Sequence, residues 1–189
     1  MGILYHVSAV PGLRTLRPSQ SSHQRPYVYA VDILSLGLLF GAKKDDFDFL
    51  LDVNSRGIPL VCECYPGAFE RIYRGKSCSV YEVEQDGFQK GITGWEPEWV
   101  SEREARVLRE STVPDLYVRL LEEERNERLV IRRYSQDQEY KKMIAGHLVD
   151  RLIRFDLLER FDTVDERGQI YFRPLIDGAK ALLDGHLLI

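Results

Sequence analysis

The rhythm of apolar and polar positions changes near Pro114, with short strand-like runs before it and helical spacing after it. Ile3-Leu4-Tyr5-His6-Val7-Ser8 alternates as a strand does and is stopped by Pro11-Gly12. The stretch from Arg17 to Pro26 is polar and reads as a loop, and Tyr27-Val28-Tyr29-Ala30-Val31 then has the aromatic and β-branched content of a second strand. Asp32 stands where it would cap an apolar helix over Ile33–Phe40, which is wrapped with leucine on all sides and so predicts burial. Another short helix is expected over Asp45–Val53, closed by Asn54-Ser55-Arg56-Gly57. Strands are expected at Pro59–Tyr65, Ser77–Glu84, Trp95–Ser101 and Glu104–Thr112, with glycine-bearing turns between. This order predicts an α+β domain with a split or two-layered sheet.

Beyond Pro114 the pattern predicts a helix over Asp115–Leu129, with Leu116, Leu120 and Leu121 on one face. A longer one is expected over Gln136–Phe161, where Ile144, Leu148, Leu152, Phe155 and Leu158 recur at three and four. Opposite charges four apart, Glu124 with Arg128 and Asp137 with Lys141, mark a solvated helix face. A short strand at Gln169–Phe172 and a helix over Pro174–Leu183 complete the reading. The chain therefore divides into an α+β part, residues 1–114, and a mostly helical C-terminal extension, residues 115–189. The helices of the extension pack by default on the domain or on a second subunit, which leaves room for a homo-oligomer through them.

Composition narrows the function classes. The 189 residues are 44% hydrophobic and 30% charged, enough for a real core and too apolar for a disordered chain. The net charge of −4 argues against a protein that coats nucleic acid or holds a membrane by a polybasic patch. No run of about 18 apolar residues exists, so no spanning helix is expected. The first residues have no basic region ahead of an apolar core, which is unlike a signal peptide. Cys62, Cys64 and Cys78 lack C-x-x-C spacing and read as reduced thiols, so a cytoplasmic protein is expected.

No phosphate-binding loop, dinucleotide fingerprint or serine elbow is present, and Gly91-Ile92-Thr93-Gly94 reads as a turn. His6, His23, His147 and His186 are too scattered for a metal motif, so no metal is expected. His6 shares its strand face with Leu4 and Ser8, opposite Tyr5 and Val7. Three short motifs then stand in order: Leu4-Tyr5-His6-Val7-Ser8, Val28-Tyr29-Ala30-Val31-Asp32 before an apolar helix, and Glu98-Trp99-Val100-Ser101. His6, Tyr29 and Glu98 lie 23 and 69 residues apart. Over roughly residues 3 to 112 this pattern resembles the ADP-ribosyltransferase superfamily, in the branch with a His, a Tyr and a Glu on separate strands and a poly-ADP-ribose polymerase-like fold.

That resemblance implies a split sheet of mixed and antiparallel strands with short helices, and a substrate, NAD, whose nicotinamide–ribose bond is cleaved. ADP-ribose would pass to an acceptor, which the resemblance leaves open among protein, nucleic acid, small molecule and water. Glu98 would stabilise the oxocarbenium-like transition state, with Glu96, Glu102 and Glu104 as competitors for that role. His6 would hold a ribose hydroxyl, and Tyr29 and Phe40 would sandwich the nicotinamide ring. Val7 and Ser8 would add cofactor contacts, while Arg14, Arg17 and Arg25 would be available to the pyrophosphate. The chain departs from the pattern at Val7, where relatives have Gly, and at Gly37, where polymerase relatives have Ser. Phe40 keeps the second ring without a phenolic hydroxyl. These departures favour an alternative: a catalytically weak or inactive nucleotide- or protein-binding module on the same fold. A third branch, the tRNA 2′-phosphotransferases, relies on arginines with a histidine that find no match here.

Overall fold

A computed structural model of the chain describes residues 2–20, 25–45 and 47–154. The described elements are β1 (Ile3–Ser8), β2 (Thr15–Leu16), β3 (Val28–Val31), α1 (Leu34–Leu38), β4 (Phe49–Val53), β5 (Pro59–Glu63), α2 (Ala68–Tyr73), β6 (Cys78–Glu84), β7 (Gln89–Lys90), β8 (Glu98–Ser101), β9 (Ala105–Val113), α3 (Leu116–Arg125), β10 (Val130–Arg132) and α4 (Gln138–Arg154). The protein is of the α+β class. Among the described residues, seven strands form one sheet in the order β2-β9-β6-β1-β3-β8-β7, and three form another in the order β10-β5-β4. Each neighbouring pair in the larger sheet runs antiparallel. The chain folds into two compact units. One comprises Met1–Lys44, Leu51–Val61 and Phe69–Arg132; the other comprises Asp45–Leu50, Cys62–Ala68 and Arg133–Ile189. The first includes α3 and β10, both beyond residue 114.

In the first unit the alternation of β1 has a direct packing consequence. Leu4, Val28, Ala30, Tyr81 and Val83 pack with Leu16, Phe88 and Ala105 into one core on one face of the sheet. The opposite face carries Tyr5, Val7 and Val31, and α1 lies over it: a Cβ on Gly37 would stand 3.2 Å from a methyl of Val7 and 3.2 Å from one of Val31. Leu36, Leu38 and Leu39 are fully buried, as the all-round apolar pattern predicts. The helix is shorter than expected and begins after Ile33 without a side-chain cap. Asp32 does not cap it, because its carboxylate is engaged by Trp99 Nε1 at 3.1 Å and Lys90 Nζ at 3.2 Å. The helix α3 is capped as a helix start should be, with the Asp115 side chain accepting from Val118 N–H at 3.0 Å.

Two further expectations are corrected. The described residues among 45–53 form no helix; Phe49–Val53 is a strand that turns at Asn54–Gly57 back into β5. Asn54 directs that turn, its side-chain oxygen accepting from the N–H groups of Arg56 at 2.9 Å and Ile58 at 3.1 Å. The segment between β5 and β6 holds the short helix α2 where only turns were expected. In the second unit, Tyr140, Ile144 and Leu148 of α4 are buried at helical spacing. Asp48 and Glu63 are buried there and satisfied: Asp48 accepts from the Tyr65 hydroxyl at 2.6 Å, and Glu63 accepts from Tyr134 N–H at 2.9 Å. The elements expected at 169–172 and 174–183, the side chains of Leu152, Phe155 and Leu158, and His23 and His186 lie outside the described residues.

Candidate active site

The strands carrying His6, Tyr29 and Glu98 are consecutive neighbours in the sheet, β1-β3-β8. Between β3 and β8 the register pairs Tyr29 with Val100 and Val31 with Glu98. Residues two apart on a strand share a face, so Tyr29 and Glu98 stand diagonally across the two strands on the same face. That is the face on which Tyr5 and Val7 lie under α1. His6 has the other parity: it pairs with Tyr81 across β6 and shares the side of Leu4. Strand alternation alone would therefore separate the imidazole from the phenol and the carboxylate.

The His6 ring instead meets the main chain of β3, at the seam with β1. A single register pair, Tyr5 with Val31, joins these strands. Beyond it, the Tyr29 carbonyl is met by His6 Nδ1 at 2.8 Å. A carbonyl can only accept, so Nδ1 carries the proton in this contact and Nε2 of a neutral ring is left as an acceptor. Burial lowers the His6 pKa from its ordinary value, and the bond to the Tyr29 carbonyl opposes this only in part. The ring is thus kept neutral near pH 7, with a lone pair to offer a hydroxyl donor.

Glu98 and Glu96 are distinguished by secondary structure. Glu98 opens β8 and is half-buried, and its N–H donates to the Trp95 carbonyl at 3.1 Å. Glu96 does not extend the strand, as the sequence suggests; it sits in the preceding turn, exposed, with its carboxylate 3.6 Å from Lys90 Nζ. Glu102 and Glu104 pair on the surface with Arg25 at 3.4 Å and Arg17 at 3.1 Å. Those two arginines are therefore already matched with acids, while the charge of Arg14 acts on Glu110.

Ser8 accepts from Val10 N–H at 3.1 Å, and Val7 is buried beneath Gly37. Val7 and Gly37 thus pack together, the side chain on β1 filling the space beside a glycine on α1. Phe40 remains 38% exposed. Its ring meets Trp95 edge-on at 6.0 Å, and Lys44 Nζ lies 3.9 Å from its centroid. Tyr29 meets Tyr27 edge-on at 6.0 Å. Trp95, Lys44 and Tyr81 are neighbours that sequence reading missed. Trp95 alone left a signal, as an aromatic residue in a glycine turn three positions before Glu98.

Two surface hollows among the described residues are lined by Gly2 and Gln85–Phe88 and by residues around Glu84, Ser101 and Arg106; neither includes His6, Tyr29 or Glu98. No group of three or more His, Cys, Asp or Glu residues is arranged to hold a metal among the described residues, and no described helix is long and apolar enough to cross a membrane. Among known proteins, no family model, no curated protein and no solved structure matches the chain.

Proposed function

We propose that the protein has an ADP-ribosyltransferase-like domain that cleaves the nicotinamide–ribose bond of NAD and transfers ADP-ribose to an acceptor. The observation that carries this reading is the adjacency of β1, β3 and β8, with His6 Nδ1 on the backbone carbonyl of Tyr29 and Glu98 on the face of the Tyr29 side chain. As the C–N bond breaks, its electron pair leaves with nicotinamide and positive charge grows on the ribose. The Glu98 carboxylate stabilises that charge by accepting from a ribose hydroxyl, and His6 Nε2 accepts from another. The acceptor's nucleophile then bonds to the ribose carbon and loses its proton. Tyr29 and Phe40 supply aromatic surface for the nicotinamide, with offset or edge packing worth about 0.5–1.5 kcal/mol beyond burial. The three free thiols, Cys62, Cys64 and Cys78, support a cytoplasmic location.

The test is nicotinamide release from NAD by the purified chain and by Glu98→Gln. Loss of about 10²–10³ in rate is expected when a preorganised electrostatic group of this kind is removed. Unchanged turnover in the variant would take Glu98 out of the mechanism. A second reading, a binding module that holds a nucleotide or a protein without turnover, is favoured by the Val7 methyl over Gly37, which fills space beside the β1 backbone. Calorimetry showing NAD binding with no nicotinamide released would select it.

A further inference from the structure

The segment Ala9–Arg14 leaves the end of β1 and is mostly exposed, yet side chains from β6 and β9 hold its backbone. Gly12 N–H donates to Glu110 Oε1 at 2.9 Å, and the Ser79 hydroxyl donates to the same oxygen at 2.7 Å. The Tyr81 hydroxyl lies 2.6 Å from the Val10 carbonyl and 3.1 Å from Glu110 Oε1, and it accepts from Leu13 N–H at 3.3 Å. Gly12 has φ of +77°, a conformation that glycine adopts without strain and that turns its N–H toward the carboxylate. These bonds hold the Glu110 carboxyl below its ordinary range, Gly12 N–H contributing most and Ser79 next.

Tyr81 does two things at once. Its ring stands 6.2 Å from the His6 ring at an angle of 39°, while its hydroxyl reaches the loop. One side chain thus ties the place of the loop to the place of the imidazole. We infer that Tyr81 and Glu110 are positioning residues of the NAD site, latching Val10–Leu13 beside His6 so that loop and imidazole present one preformed surface to the dinucleotide. This rests on the reading of His6 as a ribose-binding group. Without the latch, the loop samples other conformations and the apparent affinity falls by the fraction of molecules that remain competent. The chemistry at Glu98 is untouched, so KM rises while kcat holds.

Tyr81→Phe keeps the ring beside His6 and removes the hydroxyl. Glu110→Ala removes the carboxylate, and Glu110→Gln keeps an oxygen that accepts from Gly12 and Ser79. Nicotinamide release by the full chain is measured across NAD concentrations, together with amide exchange at Val10, Gly12 and Leu13. The expected result is a KM raised about tenfold in Tyr81→Phe and Glu110→Ala, as when about a tenth of the molecules stay competent, with kcat within about twofold. Glu110→Gln recovers most of the KM, and exchange at Gly12 and Leu13 quickens in the first two variants. An active wild type whose variants keep its KM, or lose kcat alone, overturns the inference, as does unchanged loop exchange. A wild type that neither binds nor cleaves NAD overturns the proposed function itself, a failure visible before any variant is made. Should Tyr81→Phe fail to fold, the exposed Glu110 carries the test with its two variants.

Discussion

Gly37→Ala sets two effects of similar size against each other, and the structure decides between them. In a helix interior, alanine is favoured over glycine by about 1 kcal/mol. At this position, however, the added Cβ would lie 3.2 Å from the Val7 Cγ2, 3.2 Å from the Val31 Cγ2 and 3.7 Å from the Tyr5 Cβ. Both valines are buried and stiff at χ1, so neither methyl can swing aside cheaply. Overpacking of this kind costs about 1–3 kcal/mol, which outweighs the helical gain and leaves a net loss of about 1 kcal/mol. For a chain of 189 residues that is a fall in Tm of about 2–4 °C. Val7→Ala removes one of the opposing methyls, so the double variant should be less destabilised than the sum of the singles by about 1 kcal/mol. Urea unfolding of the four proteins measures this, with m constant across the set. A stabilised Gly37→Ala whose effect adds to that of Val7→Ala would refute the reasoning. It would mean that α1 rides freely on the sheet, and that Val7 does not fill the space over β1.

His6 takes up its proton at a lower pH in the folded chain than in the unfolded one, because burial lowers its pKa. The unfolded state therefore binds more protons in that window, and stability falls as pH drops below about 6.5 through the folded pKa. His6→Asn should flatten the dependence of Tm on pH between about 5 and 7, and an unchanged slope would rule out this linkage. Glu123, 2% exposed, accepts from Arg119 Nη2 at 2.6 Å and from Arg128 Nε at 2.7 Å. Both arginines stay partly in solvent, so Glu123→Ala should cost about 1–3 kcal/mol in urea unfolding, the scale of hydrogen bonds to a charged group, and a loss near zero would show that water replaces the carboxylate.

Much of the first unit was legible because its signals are local. β1, β3, β6, β8, β9 and α3 appear within a few residues of where alternation, β-branched content and helical leucine spacing predict them. Residues 45–53 misled because a run of aspartates with Phe47, Phe49 and Leu50 suits either a helix start or a turn entering a strand. There the turn is chosen by contacts from farther along the chain: Asp48 accepts from the Tyr65 hydroxyl, and its carbonyl accepts from Cys64 N–H at 3.0 Å. The role of Asp32 was misread for a similar reason, since its partners Trp99 and Lys90 are remote in sequence.

The amino-acid order by itself determined which residue types stand on which strands, how each strand alternates, and that α1 would be buried on every side. It also placed Pro97 between Glu96 and Glu98. Tertiary structure decided what those residues face. Strand order, not alternation, makes β1, β3 and β8 neighbours and brings the Tyr29 carbonyl within reach of His6 Nδ1. The attachment of Gly12 to Glu110 likewise spans 98 positions of chain. Local spacing governs dihedral preference and side-chain parity, whereas long-range pairing depends on how distant apolar faces are buried together, and no window of sequence contains both partners.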